Sequence, residues 1–188
     1  MDDARAHFTR RIRALFGAFA AQHAPCMEAV LGGSVEVVAT VPSTARRGPA
    51  PLERDGPIGG PIVGAVLEGL PGSPFWAPGL LVRQGVPAGH MHPHRNAFAA
   101  DPARPGVLGG RRVLLLDDAY VSGARSQSAA AAVRDAGARS VVVAVLGRVV
   151  RAHGRAAGAS PAAITKGPPD PAAPCGRCRV PQTGATSA

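Results

Sequence analysis

From Ala4 to Gln22 the apolar residues Phe8, Ile12, Leu15, Phe16 and Phe19 recur at helical spacing, with Arg5, Arg10, Arg11 and Arg13 on the remaining positions. This pattern predicts an amphipathic helix. A basic amphipathic helix can lie on a membrane or grip a partner, but stripes of this kind more often pack on their own domain. Next, Val35–Val41 is short, β-branched and almost wholly apolar, and stops at Pro42, as a strand buried on both faces does. The polar segment Pro42-Ser43-Thr44-Ala45-Arg46-Arg47-Gly48 then leads to a helical stretch, Pro61–Leu70, interrupted by glycine.

Leu80–Arg83 is a second, short strand candidate. The passage from Gln84 to Gly110 is rich in Gly, Pro and His and exceeds the usual connection length, so it reads as a mobile or functional loop. Arg112–Asp117 is the clearest strand, running into a turn over Asp118–Gly123 and an alanine-rich helix over Ser126–Ala136 ended by Gly137. Val141–Leu146 is another continuous apolar run. Strands of this kind alternating with helices predict an α/β fold, a mainly parallel sheet with helices on both faces. The expected neighbours in that sheet are Val35–Val41, Leu80–Val82, Val113–Leu116 and Val141–Leu146. From Arg151 onward periodicity gives way to Ala, Gly, Pro and Ser, so residues 1–150 form the expected domain and residues 151–188 a low-complexity, disordered tail.

Composition refines this picture in two ways. Apolar residues make up 46% of the 188 and charged residues 18%, enough to bury a core. The net charge is +9, yet all the basic residues except Lys166 are arginine, and with 37 alanines this skew is what a G+C-rich genome writes. The charge still favours anionic partners such as phosphates or nucleic acid. Only seven aromatics are present for stacking bases and there is no recognisable nucleic-acid module, so nucleic acid is the less favoured partner. No apolar run approaches a membrane span, and Met1-Asp2-Asp3 is acidic where an export signal is basic. With only Cys26, Cys175 and Cys178 there is no disulfide framework, and a cytoplasmic location is expected.

The candidate chemistry lies in V-L-L-L-D-D-A-Y-V-S-G-A-R, Val113–Arg125. Two acids follow a buried strand at the carboxyl edge of the expected sheet, where ligands bind in open parallel sheets. Ser122, Gly123, Ala124 and Ser126 then supply hydroxyls and accessible backbone N–H groups at a helix start, a phosphate cradle. Carboxylates beside an anion site suit a ligand with hydroxyls on one side and phosphate on the other, a ribose 5-phosphate. The bland alternative is an acid pair that merely caps the helix. His90, His92 and His94 alternate in a Gly/Pro-rich loop and read as solvent-facing rather than as a metal site; Cys175-x-x-Cys178 lacks a second ligand pair for structural zinc.

This stretch resembles the signature of the type I phosphoribosyltransferases, in which an apolar run leads to two acids and then T-T-G. The resemblance extends to P-S-T-A-R-R-G after the first strand, similar to a pyrophosphate-binding loop. Arg95-Asn96-Ala97-Phe98 and Val141–Arg148 are similar to segments of the ComF-like branch, whose N-terminal four-cysteine zinc module is lacking here. It covers about Val35–Arg148. Val121 stands in place of the first Thr, and Arg125 stands where Thr is frequent.

The resemblance implies a transferase that binds phosphoribosyl pyrophosphate (PRPP) and Mg²⁺ and moves the phosphoribosyl group to or from a nitrogenous acceptor. Asp117 and Asp118 would orient the ribose, and Arg95 would close over the reacting centre. Ala119, Tyr120, Val121, Ser122, Gly123, Ala124 and Arg125 would hold the 5-phosphate, and Ser43, Thr44, Arg46 and Arg47 the pyrophosphate. Arg46 and Arg47 read equally as a solvated loop. Mg²⁺ would be carried mainly by PRPP, with Asp117 or Asp118 as a further ligand. The alternatives are a non-catalytic PRPP or nucleotide sensor and a ComF-like accessory protein of DNA uptake; a homo-oligomer is compatible with each.

Overall fold

A computed structural model describes residues 2–42, 60–85 and 91–148. Four strands, β1 (Val37–Thr40), β2 (Phe75–Trp76), β5 (Arg112–Tyr120) and β6 (Ser140–Arg148), form one parallel sheet in the order β2-β1-β5-β6. Two further strands, β3 (Leu81–Arg83) and β4 (Phe98–Ala100), pair antiparallel in a separate sheet. The helices are α1 (Asp2–Leu31), α2 (Gly60–Gly69) and α3 (Ala124–Asp135). The α/β class with a mainly parallel sheet thus holds, with helices on both faces.

Alternation along the central strands divides the core in two. Val37, Ala39, Val113 and Leu115 pack with Ala129, Ala132 and Val133 of α3, and Val38, Leu114 and Leu116 pack with Ala20, Met27 and Leu31 of α1 and Val63 and Val66 of α2. Successive residues on a strand face opposite ways, so a continuous apolar run is required where both faces are covered.

Two sequence expectations change. The segment Leu80–Val82 does not join the parallel sheet; Leu81 and Val82 pair with Ala100 and Ala99 instead. The place beside β1 is taken by Phe75–Trp76, through Val37 opposite Phe75 and Val38 opposite Trp76. The Gln84–Gly110 passage is not one long loop: a 3₁₀ turn (Arg95–Ala97) and β4 occupy its middle, and Ala97, Phe98 and Leu108 are buried against the α3 side of the sheet. His90 lies outside the described residues. His94 accepts a hydrogen bond from the Asn96 N–H on Nδ1, so it caps that turn. Among the described residues no three His, Cys, Asp or Glu side chains are grouped to hold a metal.

Helix α1 continues past Gln22 because Ala20, Ala24, Met27 and Leu31 prolong its buried stripe. Pro25, on the exposed side, costs the helix about 3 kcal/mol. Burying Met27 and Leu31, at about 1.5–3 kcal/mol each, offsets that. Where α1 meets α2, a Cβ on Gly69 would stand 2.5 Å from the Gly17 carbonyl oxygen, so the glycines within these helices permit close approach. Among the described residues no helix is long and apolar enough to cross a membrane. Residues 149–188, the expected tail with Cys175 and Cys178, lie outside the described residues.

Candidate functional site

Strand β5 is the axis of the site. It pairs with β1 from Val113 to Leu116, and the Val41 N–H donates to the Leu116 carbonyl at 2.9 Å, after which β1 ends. On the other side β5 stays paired with β6 as far as Tyr120 opposite Arg148. Asp117, Asp118, Ala119 and Tyr120 are therefore strand residues, not the turn expected from Asp118 onward, and they extend beyond β1 at the carboxyl edge of the sheet.

Parity along β5 puts Asp117 on the α3 face with Val113 and Leu115. It is 1% exposed, and Ser126 Oγ in the first turn of α3 donates to its Oδ2 at 2.6 Å. Asp118, on the following position, keeps 36% of its side chain exposed. One side chain joins them: Nη2 of Arg125 donates to Oδ1 of both acids, while its Nε lies 3.4 Å from Asp117 Oδ2. Arg125 is itself 23% exposed.

The two carboxyls titrate in opposite directions from this shared partner. Burial raises the Asp117 carboxyl, against the opposing pull of Ser126 and Arg125, and the neighbouring Asp118 pushes the same way as burial. Burial also opposes ionisation of Asp118, but hydrogen bonds and charge from Arg125, with the Asp117 and Ala119 contacts, outweigh it and hold that carboxyl low. Arg125 is desolvated too, and the two acids more than compensate, raising it.

The turn between β5 and α3 depends on Gly123. It sits at the N-cap with φ 80°, ψ −6°, the left-handed region glycine adopts without penalty. A Cβ there would lie 2.6 Å from Cζ and 2.7 Å from Cε2 of Tyr120, so the ring lies directly against the turn. Ser122 Oγ accepts from the Ala124 N–H at 3.4 Å, and Val121 is 47% exposed. No acid lies in the first turn of α3, whose N-terminal end carries partial positive charge.

The structure thus brings together Asp117, Asp118, Ala119, Tyr120, Val121, Ser122, Gly123, Ala124 and Arg125. It does not bring Arg95 to them. Arg95 forms a two-pronged pair with Asp135 in the last turn of α3, 2.8 and 2.5 Å, at the opposite end of that helix from Gly123. Ser43, Thr44, Arg46 and Arg47 lie outside the described residues. Sequence reasoning took Ser126 only as a small polar residue of the turn; its role is to hold Asp117. Ser128 was missed altogether: its buried hydroxyl donates to the Ala124 carbonyl at 2.7 Å and accepts from the His94 N–H at 2.9 Å, tying the 3₁₀ segment to α3. A serine buried among alanines was the available signal.

No protein-family model matches the chain. No curated protein matches it either. It is similar to a solved structure of the allosteric regulatory enzyme of purine biosynthesis, with 24% identity and a TM-score of 0.40 over 72% of this chain and 25% of that one. The chain therefore spans about a quarter of the length of that enzyme.

Proposed function

We propose that this chain binds PRPP with Mg²⁺ and acts as a phosphoribosyltransferase, moving the phosphoribosyl group between pyrophosphate and a nitrogenous acceptor. The observation that carries this reading is the order of groups over Asp117–Ser126: two carboxylates beyond the end of β1, then a glycine turn, then the start of α3. A sugar could present its hydroxyls to the acids and its 5-phosphate to the turn. The motif resemblance set out above supports the same assignment.

In this reading Asp117, whose side chain is buried behind Ser126 and Arg125, fixes the guanidinium and meets a ribose hydroxyl only once Arg125 has moved aside. Asp118 is a partly exposed oxygen donor of the kind hard cations take, so it suits a substrate-borne Mg²⁺ as well as a hydroxyl. Mg²⁺, when bound, neutralises charge on the leaving pyrophosphate. Ser43, Thr44, Arg46 and Arg47, following β1, are the proposed pyrophosphate contacts. Arg95, committed to Asp135, is left out of this machinery.

A second reading, a non-catalytic PRPP sensor, is favoured by exposed Val121 in place of a hydroxyl donor and by Arg125 engaging both acids. A ligand that binds only the folded state raises its apparent stability, so a thermal shift with PRPP and Mg²⁺ tests whether this is a PRPP site at all. Labelled pyrophosphate exchanging into PRPP, in the presence of a panel of nitrogenous bases, then separates enzyme from sensor. If PRPP with Mg²⁺ shifts the midpoint no more than inorganic phosphate does, both readings fall.

A further inference from the structure

The placement of Arg125 is electrostatically costly on its own terms. It lies in the first turn of α3, where the helix already presents partial positive charge and where a cation is unfavourable. Helix end and guanidinium together form a strongly anion-seeking corner. In the structure that demand is met from within the chain, by Asp117 and Asp118. The match is incomplete: Nη2 is shared between the two acids and Nε reaches Asp117 only at 3.4 Å, while Nη1 has no hydrogen-bond partner among the described residues. With part of the side chain exposed, an incoming anion has a donor to approach.

The two acids hold Arg125 unequally. Asp117 is buried and also held by Ser126, so it is a fixed partner. Asp118 is partly exposed and is the one that can exchange Arg125 for water or ligand. A phosphate at the Gly123 turn would compete with Asp118 for the guanidinium. As the phosphate takes that donor, Asp118 becomes freer to accept from something else.

We propose that Arg125 is the residue by which this site discriminates a phosphorylated sugar from its unphosphorylated counterpart. Without phosphate the guanidinium bridges both acids and blocks them. Phosphate at the start of α3 draws Arg125 away from Asp118 and opens that carboxylate to the sugar hydroxyls. The inference rests on the proposed sugar-phosphate site, and it adds a coupling between the two halves of that site. A ligand shifts such an equilibrium only by its differential affinity for the two arrangements, and the coupling works in both directions.

That reciprocity gives a test needing neither PRPP nor metal. Inorganic phosphate is titrated calorimetrically into the parent chain, Asp118→Asn, Arg125→Ala and the double variant. Asp118→Asn releases part of the guanidinium and is expected to tighten phosphate binding by about five- to tenfold, within the usual range for coupled sites. Arg125→Ala weakens it, and adding Asp118→Asn to that background changes it less than about twofold, because there is then no guanidinium to release. If Asp118→Asn instead tightens phosphate equally with and without Arg125, simple repulsion between carboxylate and phosphate explains the effect and the proposal is overturned. It is also overturned if Arg125→Ala binds phosphate as the parent does.

Arg125→Ala leaves buried Asp117 without its cation and risks misfolding. The same cycle in an Asp117→Asn background removes that hazard, with the same outcomes expected. A parallel titration with PRPP and Mg²⁺ separates the failures: no PRPP preference with the cycle intact rejects the transferase reading, whereas PRPP binding with no cycle coupling rejects the role of Arg125.

Discussion

Replacing Gly123 with alanine adds a single methyl group at the point where the structure leaves no room for one. Two independent costs follow. A non-glycine residue in the left-handed region loses about 1–2 kcal/mol, and Gly123 sits there at φ 80°. The new Cβ would also stand 2.6 Å from Tyr120 Cζ, well inside the roughly 3.5–4.0 Å of favourable carbon contact, and such overpacking costs about 1–3 kcal/mol. The sum is about 2–5 kcal/mol, which at a urea slope of about 2 kcal/mol per molar moves the midpoint down by about 1–2.5 M. Urea titration followed by circular dichroism reads this directly. A double-mutant cycle with Tyr120→Ala separates the costs, since removing the ring relieves only the steric part and should show a coupling of about 1–3 kcal/mol. If Gly123→Ala unfolds within about 0.5 kcal/mol of the parent, or the cycle shows no coupling, the ring does not lie against the turn and the account of this cradle is wrong.

Because burial raises the Asp117 carboxyl from its ordinary 3.8, its stabilising contribution is full below that value and lost as pH rises through the folded one. The parent should therefore gain stability relative to Asp117→Asn in thermal denaturation as pH falls from neutrality toward 3.8, and lose it again as pH rises. Asp118 is held low, so its contribution is present above 3.8 and lost as pH falls through its folded value; Asp118→Asn should lose stability at neutral pH, and an equal response of the two variants would contradict the assignment. Gly64→Ala, with no described atom within 4 Å of the new methyl, is expected to stabilise α2 by about 0.4–1 kcal/mol, whereas Gly69→Ala, 2.5 Å from the Gly17 carbonyl, should destabilise by urea titration. Arg95→Ala should leave the urea midpoint and PRPP binding unchanged, because its pair with Asp135 is solvent-exposed and remote from the acids; a loss of PRPP affinity would restore it to the site.

What could be read from the chain was what is local in it. The runs Val35–Val41, Val113–Leu116 and Val141–Leu146 announce strands covered on both faces, and β1, β5 and β6 lie within or around them. Phe75–Trp76 escaped notice because a strand two residues long, between Pro74 and Pro78, has no period to detect. Leu81–Arg83 was visible as a strand but not its partner, since three residues say little about which sheet will take them. The acids and Gly123 were legible because their residue types and spacing lie within one turn of chain. The engagement of Arg125 with both acids was not, because it depends on how a long side chain is directed. The pairing of Arg95 was illegible for the opposite reason: its partner Asp135 is 40 residues away, and only the packed fold brings them together.

The order of the strands carries a kinetic consequence. β5, α3 and β6 are consecutive in the chain, so their parallel pairing closes a short crossover. The junction of β1 with β5, where Glu36 Oε2 accepts from the Arg112 N–H, closes a loop of 76 residues. Entropy makes the longer closure the slower and costlier step. The acids, the glycine turn and Arg125 all belong to the short unit, so the candidate site lies within a segment able to form before its neighbour β1 docks. Substitutions in β1 are then expected to act mainly by speeding unfolding and those in β5 and β6 by slowing folding, which rates measured against denaturant for the two sets would check.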